Sequence, residues 1–118
     1  MHLHGHDFHV LAEGFGTWDG TVTNPENSAR RDVHILPSAQ DATTPSFMVI
    51  QYTQDNPGVW PFHCHLAWHV SSGLFLSAVE KPDEIVSKVF DDDVFETCDA
   101  WHAYTGAGGE VNQIDSGL

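Results

Sequence analysis

The sequence predicts a mainly β chain: an antiparallel sandwich with short C-terminal helices and an extended tail. Three observations carry this. Runs of β-branched and aromatic residues of strand length fill the first two thirds of the chain. Gly, Pro, Asn and Asp punctuate those runs at short intervals. From Pro82 onward the pattern changes to short segments with acidic residues in their opening turns, so strands come first and helices last. The change of pattern divides the chain into a β unit, 1–81, and a helical extension with its tail, 82–118.

The elements follow in order. HDFHVLAEG, residues 6–14, alternates polar and apolar positions as a strand does, and FGTWDGTVTNPENSARR after it is loop. PSFMVIQYT, 45–53, is the next strand, ended by the turn DNPG at 55–58. VWPFHCH, 59–65, reads as its hairpin partner. GLFLSAVE, 73–80, is a further strand, closed by Lys81 and Pro82. PDEIVSKVF, with Pro82 near its first turn, and DDVFETCDAWHAY are helical. TGAGGEVNQIDSGL has no periodicity and is expected to be extended.

At 118 residues, 41% hydrophobic and 11% aromatic, the chain has material for one core. Four basic residues against seventeen acidic ones give a net charge of -13, which excludes nucleic acid and anionic membrane surfaces as partners. No apolar run reaches the length of a membrane span, and the first residues have no leader-like pattern. The two cysteines, Cys64 and Cys98, can in principle pair, but the histidines around Cys64 suit a metal thiolate better.

The nine histidines are clustered: His2, His4, His6 and His9 at the start, and His63, His65 and His69 in the middle. Successive side chains of a strand point to opposite faces, so His63 and His65 point one way and Cys64 the other. The same parity places His2, His4 and His6 on a common face. One short segment then serves two metal sites, a thiolate site on one face and an imidazole site on the other, joined through the Cys64 backbone. On the Cys64 face, four residues separate Cys64 from His69 and four more separate His69 from Leu74. That is the spacing of a blue-copper loop, in which one thiolate and two imidazoles bind in a plane and a weak axial ligand sits beyond. Leu74 at the axial position offers no donor and should raise the reduction potential. Cys64 and His69 supply two of the three equatorial ligands.

A lone HxH is usually a surface or core pair. HCH with a further His four residues on, in a chain that also carries HLHGH, is far harder to obtain by chance. Zinc uses the same donors, but the CxxC and HxxxH pairs of familiar zinc sites are absent. His6 is expected to hydrogen-bond within the fold, His9 to be structural, and His34 and His102 have no partner pattern.

MHLHGHDF and HCHLAWHVSSGL resemble two copper-binding motifs of the multicopper oxidases, in particular of ascomycete laccases. RRD at 30–32, DNPG before VWPFHCH, CDAWHAY at 98–104 and the terminal DSGL extend the resemblance over nearly the whole chain, apart from a differently spaced loop between Asn24 and Arg30. The resemblance implies a partial cupredoxin-like Greek-key β-sandwich. It implies type 1 copper at Cys64 and His69 with Leu74 as non-coordinating neighbour, type 2 copper at His2, and the type 3 pair at His4, His63 and His65. It further implies that phenols or aromatic amines deliver single electrons near His69, with Trp68 lining their pocket, and that dioxygen is reduced to water. A secreted enzyme of lignin breakdown is the family's usual setting. The Leu118 carboxylate would plug a solvent channel, and Cys98 would pair with a cysteine outside this chain.

The family motif reads His-Pro-x-His-Leu-His-Gly-His, and Met1 stands at its third position. The resemblance therefore implies that the third type 1 ligand, the remaining cluster histidines and the earlier cupredoxin domains lie upstream, so that this chain alone is inactive. A single-site electron carrier and a non-catalytic copper-binding fragment are the alternatives from other classes. HLHGH argues against the carrier, which has no use for a second histidine set. Ascorbate oxidase, bilirubin oxidase and ferroxidases share the motifs, and Leu74 with DSGL favours laccase over them.

Overall fold

Two three-stranded antiparallel sheets make up the β unit of the computed structural model, which describes residues 1–105 and Gly109. In chain order the elements are β1 (His2–Leu3), β2 (Phe8–Phe15), β3 (Arg30–Arg31), β4 (Ser46–Gln51), β5 (Gly58–His63), α1 (Ala67–Ser71), β6 (Phe75–Glu80), α2 (Pro82–Ile85) and α3 (Asp92–Thr105). One sheet has the order β1-β5-β6 and the other β3-β2-β4. The core lies between them. Leu3 from the first sheet meets Phe8 and Val10 from the second, and Met48, Ile50, Tyr52 and Phe62 pack around these three.

The expected hairpin between 45–53 and 59–65 does not form. β4 pairs with β2, while β5 pairs with β1 and β6. The turn at 55–58 therefore carries the chain from one sheet to the other. Met48 and Ile50 must cover Phe8 and Val10, whereas the His63 end of β5 must reach His2. No single sheet satisfies both demands.

β2 carries a bulge between Val10 and Ala12, where Leu11 has no partner in β4. Its carbonyl instead accepts hydrogen bonds from the amides of Thr23 (3.0 Å) and Asn24 (2.9 Å), which pins the long loop that follows. Gly5, two residues beyond β1, turns the chain with φ +72°, and a Cβ there would lie 2.5 Å from the Trp60 ring. Gly5→Ala is expected to cost at least about 1–3 kcal/mol from the backbone conformation alone. A fall in the thermal midpoint relative to wild type would show it, and an unchanged midpoint would mean that neither the positive φ nor Trp60 opposes a side chain there.

The expected helix over 82–90 shrinks to the single turn of α2, while the second forms as α3 with Asp92 and Asp93 in its first turn. α1 lies in the segment between Cys64 and Leu74, where no helix was expected. The expected extended tail and the Leu118 plug lie outside the described residues. No helix among the described residues is long and apolar enough to cross a membrane. Much apolar surface stays open, including Leu76 and Val79 on β6, Phe95 and Trp101 on α3, and Val89, which is 96% exposed.

Candidate metal centre

Pairing of β1 with β5 sets His2 directly opposite His63, and opposed residues of an antiparallel pair project on one side of the sheet. The His2 ring has its Nδ1 2.9 Å from the Asp32 carbonyl. A carbonyl only accepts, so Nδ1 carries the proton and Nε2 keeps its lone pair. His4 follows in the turn, its amide donating to the Pro61 carbonyl at 2.9 Å. The His2 and His4 rings lie 4.7 Å apart, His4 and His63 5.1 Å, and His63 and His65 5.6 Å.

Within this cluster His4 Nε2 and His63 Nε2 approach to 2.9 Å. His63 Nδ1 donates to the Cys64 carbonyl at 2.9 Å, which turns its Nε2 toward His4. Burial first, and then the charges of His2, His63 and His65, hold the His4 imidazole below its usual range. A neutral ring presents the lone pair that a metal needs.

Cys64 faces the other way. Its Sγ lies 3.4 Å from His69 Nδ1. The Cys64 amide donates to the Leu74 carbonyl (3.1 Å) and the Leu74 amide to the His69 carbonyl (3.0 Å), so three residues spaced along the chain are tied at one point. Gly73, at φ +98°, makes the return possible. α1 supplies His69, and Trp68 beside it is 70% exposed.

Both separations fit a shared cation. Two imidazole nitrogens each about 2.0–2.1 Å from one metal, or a thiolate at about 2.3 Å and an imidazole at about 2.0 Å, span distances of this size at ordinary bond angles. Among the described residues no three His, Cys, Asp or Glu side chains converge as a metal-binding group. The donors come in pairs, and each centre calls for at least one more ligand.

His6 does not join the cluster as strand parity suggests. β1 ends at Leu3 and Gly5 turns the chain, so the His6 ring is buried beside Tyr52 and Trp60 instead, within 3.0 Å of Glu80. His9 bonds Ser28 (3.1 Å), and His34 bonds Glu13 (2.7 Å). Cys64 and Cys98 are both free thiols, which rules out the pairing their number permitted.

Two residues near the cluster escape sequence reasoning. Asp32 acts through its main-chain carbonyl, which no residue pattern reveals. Glu80 is 2% exposed at the end of an apolar strand, and a carboxylate continuing FLSAV was its only signal. A cleft of about 680 Å³ runs along His2, His4, His6, Asp32, Tyr52 and Asp55.

Comparison with known proteins identifies the family. Residues 1–84 match the family model described as multicopper oxidase. Laccase-1 of Botryotinia fuckeliana is 44% identical over 122 residues, covering all of this chain and 20% of the relative. Laccase-1 of Melanocarpus albomyces is 37% identical over 134 residues, again covering all of this chain and 20% of the relative. The crystal structure of a laccase from Botrytis aclada superposes with a TM-score of 0.68 at 37% identity, over 99% of this chain and 21% of that one. The chain thus spans about a fifth of the length of the curated relatives it matches. With a family match over most of the chain and the two donor pairs set back to back on one segment, this chain belongs to the multicopper oxidase family.

Proposed function

We propose that this chain is the part of a laccase that carries one share of each copper site. The observation that carries the reading is the position of Cys64. Its thiol meets His69 on one face, while its neighbour His63 meets His4 on the other. The His63 ring also bonds the Cys64 carbonyl, so the two faces are linked both covalently and by a hydrogen bond.

Copper held there would supply single-electron exchange between a phenol or aromatic amine and dioxygen, four one-electron oxidations balancing one dioxygen reduced to two waters. This chain's residues bind and orient. Cys64 and His69 would share the type 1 ion, with Leu74 beside them offering no donor. His2 would hold the type 2 ion, and His4, His63 and His65 the type 3 pair. The exposed edge of α1, with Trp68 and His69, is where a flat aromatic reductant would approach. The second set of imidazoles distinguishes this reading from a single-site electron carrier.

The same reading takes the parent enzyme as secreted and active on phenols such as those of lignin. It assigns Cys98, exposed on α3, to a disulfide with a cysteine elsewhere in the polypeptide. The missing ligands come from further cupredoxin domains of that polypeptide. Copper added to the full-length protein is expected to give intense visible absorption and phenol-dependent oxygen uptake. The 118-residue chain alone is expected to give neither. A blue, active preparation of the chain alone would overturn the shared-site reading, and a colourless full-length protein the laccase reading.

A further inference from the structure

Behind the imidazole cluster lies a buried pair of ionisable groups that metal binding does not use. The side chains of His6 and Glu80 are 3% and 0% exposed, with His6 Nε2 3.0 Å from Glu80 Oε2. The contact has ion-pair length without hydrogen-bond alignment, so neither Glu80 oxygen has a hydrogen-bond donor among the described residues. On its other edge the His6 ring has Nδ1 3.1 Å from the His4 carbonyl. Tyr52 and Trp60 flank the ring, with centroids at 5.2 and 5.8 Å. Trp60 is itself wedged against Gly5 and Gly58, and Gly58 pairs with Glu80 across β5 and β6.

Burying a carboxylate without donors is costly, and a fold keeps one only when something else depends on it. The chemistry here is constrained. The His4 carbonyl accepts, so His6 Nδ1 must carry a proton. The ring thus reaches the main chain of His4 in one direction and the end of β6 in the other. β6 is also the strand that lies beside His63, through the pairing His63↔Phe75.

We propose that His6 and Glu80 are positioning residues: a buried brace that ties the His4 main chain to β6 and so fixes the His4 imidazole against His63. The inference rests on the reading of His4 and His63 as copper ligands. Outer-shell partners of metal ligands typically contribute about 10–100-fold in metal affinity, and a brace of this kind belongs in that range.

The test uses the copper-loaded full-length protein and three variants. Glu80→Leu removes the carboxylate, His6→Phe fills the same space without either contact, and Glu80→Gln keeps volume and a donor toward His6. Copper retention against a competing chelator is followed at two places: by the visible absorption of the Cys64 thiolate, and by electron paramagnetic resonance together with total copper for the imidazole cluster. Glu80→Leu and His6→Phe are expected to release cluster copper about 10–100-fold more readily while the thiolate absorption persists. Glu80→Gln is expected to restore most of the retention. Unchanged retention in both disruptive variants, equal loss at the two places without rescue by Glu80→Gln, or failure of both disruptive variants to fold would each overturn the brace. A wild-type protein that takes up no copper would overturn the site reading and the brace together.

Discussion

Phe8→Ala is expected to destabilise the protein by about 3–5 kcal/mol, a large part of the roughly 5–15 kcal/mol that holds an ordinary domain together. Phe8 is 0% exposed and stands at the centre of the small core with Leu3 and Val10. Few residues share the burial, so little can shift to refill the space. The damage should reach the site as well. Leu3 sits between His2 and His4 in the chain and rests on Phe8, so the core is the floor under the donors. Denaturant unfolding of the full-length protein measures the loss, and copper retention should fall with it. Val89→Ala, at a position 96% exposed, serves as the control and should stay within about 0.5 kcal/mol of wild type. Equal midpoints for the two variants would show that the core lies elsewhere in the molecule.

How much of this was legible in the sequence depends on whether the information is local. The expected strand over 59–65 stops at His63, so Cys64 and His65 lie just beyond it, but His63 still meets His4 and Cys64 meets His69, the different partners that alternation predicts from adjacent residues. β1 and β3, of two residues each, escaped, the latter inside a stretch expected to be loop, but the four longer strands were legible because Val, Ile, Phe and Tyr cluster between turn residues. Their pairing was not. A turn such as DNPG looks the same whether it closes a hairpin or crosses between sheets, and only the demand that Met48 and Ile50 cover Phe8 decides it. Parity also failed at Gly5, where a positive φ breaks the alternation that would have kept His6 with His2 and His4. The Asp32 carbonyl was invisible, because a main-chain acceptor has no residue signature. The short α1 escaped because five residues hold too little of a helical period to read.

Cys64→Ser is expected to abolish the intense visible absorption and to reduce phenol oxidation by more than the about 10–100-fold that outer-shell partners cost. The substitution is nearly isosteric, and the interactions that shape the segment are main-chain ones. The Cys64 amide still donates to Leu74 and the Cys64 carbonyl still accepts from His63. Folding should therefore survive, leaving the donor atom as the only change. A serine hydroxyl stays protonated at neutral pH, whereas a cysteine beside cationic or metal partners ionises, and the softer thiolate is what selects copper over harder alternatives. His2, His4, His63 and His65 lie on the opposite face and are untouched, so the imidazole cluster should keep its metal. Total copper is then expected to fall only by the share bound at the thiolate, with the resonance signal of the cluster preserved. This pattern separates two independent sites joined by one residue from a single mixed site, which would lose all its copper at once. Retention of colour in Cys64→Ser would assign the thiolate role elsewhere and dissolve the link between the two faces.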